Sequence, residues 1–371
     1  MTRRIGIFAG SLGSNSGGPE RYESELLRGI AALDRETEYN IFCLFPEGPA
    51  KAGVSPDNFR YVTVGPHIRP LSMVTTLPAA LWRSRLDSLH ATFIPPPISP
   101  RPYAFTLVCS SMFEHPEFFP PAIRLRLKLL MGMAIKKAQV IICISQHIQD
   151  VIRERFKVPA ERSTVVPLAA SDAFLPIPRD ECASFLKQRY GIDGPYLLFS
   201  GRWERRKNIA RILEAFHRFK QETCTPHRLV LTGERTWASG EADEVIRRNR
   251  MEEEIVDLGK SPVAELPWLY AGADALVFCS LWEGFGLPIV EGFRAGTPVI
   301  TSNGSSMAEI GGDAALLVDP LSVDAIAEAM HRITVGEPGL ADTLRERGFA
   351  RGRTFSWERT ARETLAVYRR L

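Results

Sequence analysis

The chain has 371 residues, of which 45% are hydrophobic and 24% charged, and its formal net charge is +3. These proportions are typical of a folded globular protein and exclude a chain that is disordered throughout. A charge of +3 is too small to indicate nucleic acid as a partner, so any basic surface must be local. At roughly 100–200 residues per domain, the length predicts two domains or three.

The cysteines and the N-terminus indicate the compartment. None of the six cysteines occurs in a Cys-x-x-Cys pair, so their spacing indicates neither a zinc site nor a redox motif. The apolar stretch after Arg3 and Arg4 is too short for the core of a signal peptide. No apolar run approaches the roughly 20 residues that a membrane span needs. The sequence therefore predicts a cytoplasmic protein in a reducing environment.

The first half of the chain alternates short β-rich runs with helical stretches, which favours a parallel sheet with crossover helices. The predicted strands are Ile5–Ala9, Tyr39–Leu44, Tyr61–Val64, Phe105–Val108, Val140–Ile144 and Thr164–Pro167. The predicted helices are Pro19–Leu33, Pro121–Lys137 and Gln146–Phe156, the last with Ser145 as its N-cap.

The pattern loosens over Leu168–Gly194, which predicts the junction between two domains. A second alternating series follows. Its predicted strands are Tyr196–Ser200, Arg228–Thr232, Ile255–Leu258, Ala275–Cys279, Pro298–Thr301 and Ala315–Val318. Its predicted helices are Asn208–Gln221, Val263–Ala271, Pro288–Ala295, Val323–Ile333 and a terminal helix, Trp357–Leu371.

The two series predict an α/β protein of two doubly wound, Rossmann-like domains that face each other across a cleft. We expect the first domain to comprise residues 1–175 and the second residues 176–355, with residues 356–371 forming a terminal helix that packs back on the first. In such domains ligands bind at the carboxyl ends of the strands. The loops at those ends are therefore where functional residues are expected.

The segment 280–300 is predicted to form a strand, a glycine-containing turn, a helix and a further strand. Pro288 suits the first turn of that helix, because the N–H group that proline lacks would be unpaired there. The backbone N–H groups of Phe285, Gly286 and Leu287 would then point out of a helix N-terminus, which is an anion site.

Two carboxylates accompany this anion site. Glu283 precedes the helix, and Glu291 lies one turn inside it on a face that can return to the same cleft. Carboxylates repel phosphate but accept hydrogen bonds from hydroxyl groups, so the pair indicates sugar hydroxyls on either side of a diphosphate. A capping glutamate and a solvent-exposed glutamate are the alternative. The joint arrangement with Gly284 and Gly286 favours the ligand.

A basic loop follows the predicted strand Tyr196–Ser200. Arg202 and Lys207 stand at the carboxyl end of that strand, where two cations can neutralise a diphosphate. Arg205 and Arg206 are alternatives within the same loop. By itself the loop could be a solvated basic turn, and the glutamate segment is what favours a ligand.

Arg202-x4-Lys207 together with Glu283-x7-Glu291 resembles the paired signature of the family 4 retaining glycosyltransferases of GT-B fold, the group 1 glycosyltransferases. The resemblance covers nearly all of the second domain. It continues through Leu258-Gly259, the stretch from Glu265 to Asp274, Ser302–Ser306, Glu309 and Asp319-Pro320.

The resemblance implies roles for these residues. Arg202 and Lys207 would hold the diphosphate of a nucleotide-sugar donor and stabilise it as the leaving group. Glu291 would accept hydrogen bonds from the ribose. Glu283, with the backbone of Phe285, Gly286 and Leu287, would hold the hydroxyls of the transferred sugar and the distal phosphate. The nucleotide base would lie near Gly259 and Lys260.

The first domain resembles the family more loosely. Gly17-Gly18 matches the glycine turn before the first helix, which in the family lies against donor and acceptor; the alternative is a tight turn and nothing more. The family commonly carries a His-Asp pair in a Thr-x-His-Asp context. Alignment of Thr106 with that threonine places Val108 and Cys109 at the pair. Either a neighbouring residue replaces the His-Asp pair, or the contact with the sugar is weak there. The candidate replacements are Ser110, Ser111 and His115, and His90 is no better a candidate.

The helix Pro121–Lys137 has five basic residues and no acidic one: Arg124, Arg126, Lys128, Lys136 and Lys137. Set among leucines, they could contact an anionic membrane surface or a lipid diphosphate acceptor. The alternative is a solvated basic face over a packed apolar one.

Together these observations predict a retaining hexosyltransferase of polysaccharide biosynthesis that needs no cofactor. Because the sequence has no Asp-x-Asp, a metal-bridged diphosphate is not expected. The resemblance favours GDP-mannose as the donor of a mannose residue, with UDP-sugars as the second candidate. It implies a saccharide or lipid-linked acceptor at the inner membrane face. The alternatives are a nucleotide-sugar epimerase of GT-B fold and a non-catalytic nucleotide-sugar-binding protein.

Overall fold

The computed structural model describes residues 3–15, 17–66, 68–236 and 240–371. It divides into two compact units. The first ends at Leu168 and resumes over Ser356–Leu371, and the second comprises Ala169–Phe355. The sequence placed this boundary after residue 175. It lies earlier because Phe174 is buried in the second unit, where its ring meets Tyr270 edge-on at a centroid distance of 5.2 Å.

The first unit is built on a parallel sheet of seven strands in the order β3-β2-β1-β4-β5-β6-β7. The strands are β1 Arg4–Ala9, β2 Glu38–Cys43, β3 Phe59–Thr63, β4 Ser88–Ala91, β5 Tyr103–Leu107, β6 Val140–Cys143 and β7 Ser163–Val165. The helices are α1 Gly18–Leu33, α2 Gly48–Ala52, α3 Arg69–Val74, α4 Thr76–Arg83, α5 Ser111–Glu114, α6 Pro121–Lys137, α7 Gln146–Phe156 and the terminal α16 Trp357–Tyr368.

Strand β4 was missed in the sequence because it is only four residues long and contains a histidine. His90 is fully buried, and its two ring nitrogens lie 2.8 Å from the hydroxyls of Tyr368 and Thr106. Burial lowers the pKa of His90 to about 3. His90 is thus a neutral core histidine that connects the terminal helix to the sheet.

The second unit has a parallel sheet of six strands in the order β10-β9-β8-β11-β12-β13. The strands are β8 Tyr196–Ser200, β9 Arg228–Thr232, β10 Ile255–Asp257, β11 Ala275–Phe278, β12 Val299–Ser302 and β13 Leu316–Val318. The helices are α8 Arg179–Tyr190, α9 Ile209–Thr223, α10 Gly240–Arg248, α11 Leu266–Ala271, α12 Leu287–Ala295, α13 Ser305–Gly311, α14 Val323–His331 and α15 Leu340–Gly352.

Part of the predicted junction is a regular helix, α8. Only Cys182 and Leu186 of its twelve residues are buried, so the sequence lacks the apolar period by which helices are recognised. The unpredicted α10 is similar, since only Ala242 and Val245 are buried in it. Helices that lie mostly in solvent leave a weak pattern in the sequence.

The sheet order determines where a ligand site can form in the second unit. Strands β9 and β10 lie on one side of β8, and β11 to β13 lie on the other. The order therefore reverses between β8 and β11, and a doubly wound sheet opens its binding crevice at such a reversal, beyond the carboxyl ends of the strands. The loops after β8 and β11 are those that carry the basic and glutamate segments.

Among the residues that the structure describes, none of the helices is long and apolar enough to cross a membrane.

Candidate functional site

A buried carboxylate joins two cations at the reversal point of the second sheet. The Lys207 ammonium lies 2.6 Å from one oxygen of Glu283, and the Arg206 guanidinium lies 2.8 Å from the other. Lys207 is 7% exposed and Glu283 8%. The loops after β8 and β11 are therefore held together by a charged contact that is largely removed from water.

The electrostatics of this contact depend on all three residues. Burial alone would raise the pKa of Glu283, but the charges of Arg206 and Lys207 outweigh burial and hold that pKa below its usual value. Burial lowers the pKa of Lys207, and the charge of Glu283 opposes this. Glu283 thus favours the cationic form of a desolvated lysine.

Further hydrogen bonds hold these loops in position. Asn208 adopts the left-handed conformation with φ 62°, and its side-chain amide donates to the backbone carbonyls of Cys279 at 3.0 Å and Pro320 at 2.7 Å. The Leu281 N–H donates to the Arg206 carbonyl at 2.7 Å. Asparagine tolerates this conformation better than most residues, which explains its place directly after the basic turn.

Two serines at the start of α13 hold the backbone of Glu283. Ser305 Oγ accepts from the Glu283 N–H at 3.2 Å, and Ser306 Oγ donates to the Glu283 carbonyl at 2.8 Å. No role for these serines was predicted from the sequence, although they belong to the Ser302–Ser306 stretch in the resemblance. Their function is to fix the backbone from which the Glu283 carboxylate extends.

Arg202 has other partners. Its side chain is about half exposed, at 52%, and it pairs with Glu204 at 3.7 Å and Glu234 at 3.4 Å. The short 3-10 turn Arg205–Lys207 brings Arg206 to Glu283 instead. Arg206, an alternative in the sequence analysis, is therefore the arginine of the buried cluster. The contact of Arg202 with a diphosphate stays a prediction.

The loops after β8, β9 and β10 lie against one another at the same edge. A Cβ atom on Gly233 would lie 1.9 Å from the carbonyl oxygen of Gly201, so only glycine fits. The Gly233 N–H donates to the Gly259 carbonyl at 2.7 Å. Gly259 is left-handed with φ 58°, and Lys260 beside it is exposed. Both lie beyond the carboxyl end of β10, and a contact with a base there stays a prediction.

The N-terminus of α12 lies just after Glu283. Gly286 caps the helix with φ 98°, and Pro288 occupies its first turn, as the sequence predicts. The first amide of the helix, that of Leu287, has no partner within the helix by its position. Phe285 is buried with its ring edge-on to Phe355. A helix N-terminus attracts anions, so this edge favours a phosphate group.

Glu291 lies on α12 and is buried, at 3% exposed. The hydroxyl of Tyr270 on α11 donates to its carboxylate at 2.9 Å. This contact fixes the rotamer of a carboxylate that follows the α12 N-terminus by one turn. Its binding of a ribose stays a prediction.

The glycine turn of the first unit has an observed local role. Gly17 and Gly18 are exposed, and Gly17 precedes α1 with φ 74°. The Gly17 carbonyl accepts from the Arg21 N–H at 3.0 Å, which closes the first turn of the helix. A contact of this turn with donor or acceptor stays a prediction.

Comparisons with known proteins identify the relatives of this chain. The model of the glycosyl transferases group 1 matches residues 184–351, and that of glycosyltransferase family 4 matches residues 16–172. O-antigen chain mannosyltransferase B of Escherichia coli is 33% identical over 261 residues, which is 70% of this chain and 68% of that protein. MMP alpha-(1->4)-mannosyltransferase of Mycolicibacterium hassiacum is 30% identical over 166 residues, 44% of this chain and 39% of that protein.

Among solved structures, Anabaena HepE in complex with UDP-glucose is similar with a TM-score of 0.79 at 17% identity, over 99% of this chain and 100% of that one. Two parallel α/β units with this likeness define the GT-B fold. The chain belongs to family 4 of the glycosyltransferases, the group 1 glycosyltransferases. It is therefore a transferase, as the sequence predicts.

The buried cluster generates a prediction about stability. Glu283→Gln keeps the shape of the side chain but leaves the buried Lys207 without its carboxylate partner and Arg206 with Glu204. Removing one partner of a buried pair is strongly destabilising, so we expect a loss of about 3 kcal/mol at pH 7 in the free energy of unfolding. Urea denaturation followed by tryptophan fluorescence measures it.

The matched control is Glu204→Gln, which removes the half-buried carboxylate 2.8 Å from Arg206 and is expected to cost under about 1 kcal/mol. Because the folded pKa of Glu283 lies below 4.5, its stabilisation is present above pH 4.5 and is lost as the pH falls through the folded value. The difference between wild type and Glu283→Gln should therefore shrink in acid. Equal losses in the two variants would contradict the cluster's role.

Proposed function

We propose that the protein is a retaining, metal-independent hexosyltransferase that moves mannose from GDP-mannose to a hydroxyl of a saccharide or lipid-linked saccharide. The observation that carries this proposal is the cation pair Arg206 and Lys207, bridged by Glu283. It lies at the strand-order reversal of the sheet and next to the N-terminus of α12.

The chemistry of the donor explains why cations are needed there. When the sugar leaves, negative charge develops on the departing diphosphate. Fixed cations and a helix N-terminus stabilise that charge more in the transition state than in the ground state, which accelerates the reaction. The ammonium group of Lys207 has three N–H donors, one of which donates to Glu283. Its other N–H groups can donate to a phosphate.

Glu283 can serve the sugar as well as the cations. A carboxylate offers about four lone-pair positions, and Lys207 and Arg206 take one on each oxygen. The others can accept hydrogen bonds from sugar hydroxyls. We propose that retention follows from attack on the same face of the sugar, with the departing diphosphate accepting the proton of the acceptor hydroxyl.

The identity of the donor is supported by the names of relatives. Both curated relatives described above are mannosyltransferases, which favours mannose. HepE was solved with UDP-glucose, which makes a UDP-sugar the second candidate.

Ligand binding tests the donor. A ligand that binds only the folded state at 100 times its Kd stabilises that state by about 2.7 kcal/mol, so GDP and GDP-mannose should raise the melting temperature at concentrations where UDP and UDP-glucose do not. With GDP-mannose and a panel of mannosides, we expect a product that retains the α configuration by NMR and forms equally in EDTA.

Several outcomes would contradict the proposal. A larger rise in melting temperature with UDP-sugars would indicate a UDP-sugar as the donor. Loss of transfer in EDTA, restored by added metal, would contradict the metal-independent mechanism. Conversion of the donor sugar without any acceptor would indicate an epimerase instead. Binding without transfer or hydrolysis would indicate a nucleotide-sugar-binding protein.

The acceptor side of the proposal includes contact with an anionic membrane surface through α6. The apolar residues of this helix are not all packed, since Leu125 is 60% and Leu129 is 58% exposed. The two are four residues apart and share a face. Arg124 and Lys128 are exposed beside them, and the helix is anchored further on by the buried Met131. Exposed leucines flanked by cations suit the interface of an anionic bilayer.

Vesicle binding tests this contact. The protein should sediment with vesicles of phosphatidylglycerol and much less with phosphatidylcholine, because the basic residues require anionic lipid. The double variant Leu125→Ser, Leu129→Ser should bind at least about tenfold more weakly, since it removes two apolar side chains from the bilayer. The matched control is the double variant Leu317→Ser, Leu321→Ser in the second unit, where both leucines are also exposed. This variant should bind the vesicles as the wild type does. Equal weakening in both variants would contradict the assignment to α6.

A further inference from the structure

A second polar cluster lies in the first unit, at the loops after β5 and β6. The Ser110 hydroxyl donates to one oxygen of the Glu114 carboxylate at 2.7 Å, and the His147 imidazole lies 2.8 Å from the other oxygen. Ser110 is fully buried, whereas the side chains of His147 and Glu114 are 27% and 21% exposed. We call these three residues the Glu114 cluster. Its serine is buried, and its carboxylate and imidazole are partly exposed to solvent.

The position of the cluster is that of a functional site. Ser110 and Glu114 follow β5, and His147 is the second residue of α7, which follows β6. Strands β5 and β6 are parallel neighbours in the sheet, so both loops leave it at the same edge. That edge carries the carboxyl ends of the strands, where doubly wound sheets bind ligands.

Packing does not require the Glu114–His147 contact. Helix α5 is already attached to α7 by Phe113, whose buried ring meets Phe156 edge-on at a centroid distance of 4.9 Å. The Arg155 guanidinium donates to the Phe113 carbonyl at 2.7 Å and lies over its ring. A partly exposed contact between a carboxylate and an imidazole adds little to such an anchor.

The order of the three groups indicates binding rather than nucleophilic catalysis. A serine nucleophile needs the imidazole between the hydroxyl and the carboxylate, whereas here the carboxylate lies in the middle. A carboxylate next to an imidazole offers hydrogen-bonding groups side by side. The hydroxyls of a sugar both donate and accept, so they can pair with a carboxylate oxygen and with an imidazole nitrogen in either protonation state.

We propose that the Glu114 cluster binds the hydroxyls of the acceptor saccharide, with Glu114 and His147 in contact with the sugar and Ser110 holding the carboxylate in position. This inference rests on the proposed glycosyltransferase function. It gives the first unit a sugar-binding group although Val108 and Cys109 stand where the family commonly has histidine and aspartate. Ser110 was among the neighbours predicted from the sequence to substitute there, whereas Glu114 and His147 were not.

The test separates acceptor binding from donor chemistry. Glu114→Gln and His147→Gln are assayed with GDP-mannose and the mannoside that the wild type uses best, and hydrolysis of GDP-mannose without acceptor is measured in parallel. Each variant removes a hydrogen bond to the sugar, so the KM for the acceptor should rise about 10-fold or more. Donor hydrolysis and the melting temperature should stay as in the wild type.

The chain offers a matched control a few residues away. His115 and Glu117 form another histidine–glutamate pair, with 3.0 Å between the groups and side chains 36% and 62% exposed. His115 is also stacked on Phe118 in the loop. His115→Gln and Glu117→Gln should leave the acceptor KM and donor hydrolysis unchanged.

The possible failures are distinguishable. An unchanged acceptor KM in both Glu114→Gln and His147→Gln, with transfer intact, would overturn this inference and leave the proposed function standing. Equal losses of donor hydrolysis and transfer would assign the cluster to the donor or to folding and would also overturn it. If the wild type transferred to no saccharide in the panel and hydrolysed no donor, the proposed function itself would fail, and this inference with it.

Discussion

The buried contact between Lys207 and Glu283 is the constraint on which the second unit's site depends. A lysine that is 7% exposed loses most of its hydration, and only a close carboxylate makes its charged form favourable there. Glu283 provides that carboxylate at 2.6 Å and is itself stabilised by Arg206. The contact connects two loops far apart in sequence and holds two cations at one carboxylate. A preformed group of this kind needs little reorganisation when charge develops on a leaving diphosphate.

The fold explains why these residues can meet at all. Lys207 and Glu283 are 76 residues apart, and three strands, β9 to β11, lie between them in the chain. They can meet because β8 and β11 are direct neighbours in the sheet, where the strand order reverses. The asparagine after Lys207 and the serines at the start of α13 then fix the backbone on each side. Charge, topology and local hydrogen bonds agree in this region, which is typical of a site that binds in one geometry.

Much of this could be predicted from the sequence. The predicted strand Tyr196–Ser200 has the bounds of β8, because a buried parallel strand is a continuous apolar run. Helix α7 begins at Gln146 after Ser145, whose hydroxyl accepts from the Ile148 N–H as an N-cap should. The spacing of the basic and glutamate segments placed Lys207 and Glu283 at the carboxyl ends of strands.

Other features depend on contacts that a linear pattern does not contain. The choice of Arg206 over Arg202 as the partner of Glu283 follows from the 3-10 turn after β8, a local fold that the basic run did not reveal. The short, histidine-containing β4 is a strand only because it lies between β1 and β5. The Glu114 cluster joins two loops whose adjacency follows from the pairing of β5 with β6. Glu114 lies on α5 and His147 on α7. No sequence motif links these two positions, so their contact could not be predicted from the spacing of residues.

The most direct measurement of the central claim compares how tightly a nucleoside diphosphate and its monophosphate bind when Lys207 loses its charge. Isothermal titration of the wild type and Lys207→Met with GDP and GMP, with folding checked by circular dichroism, makes that comparison. If Lys207 binds the diphosphate, the Kd for GDP rises about 10-fold or more in the variant while the Kd for GMP stays within about twofold. An unchanged Kd for GDP, or an equal rise for both nucleotides, would show that the buried lysine does not bind the phosphate of the donor.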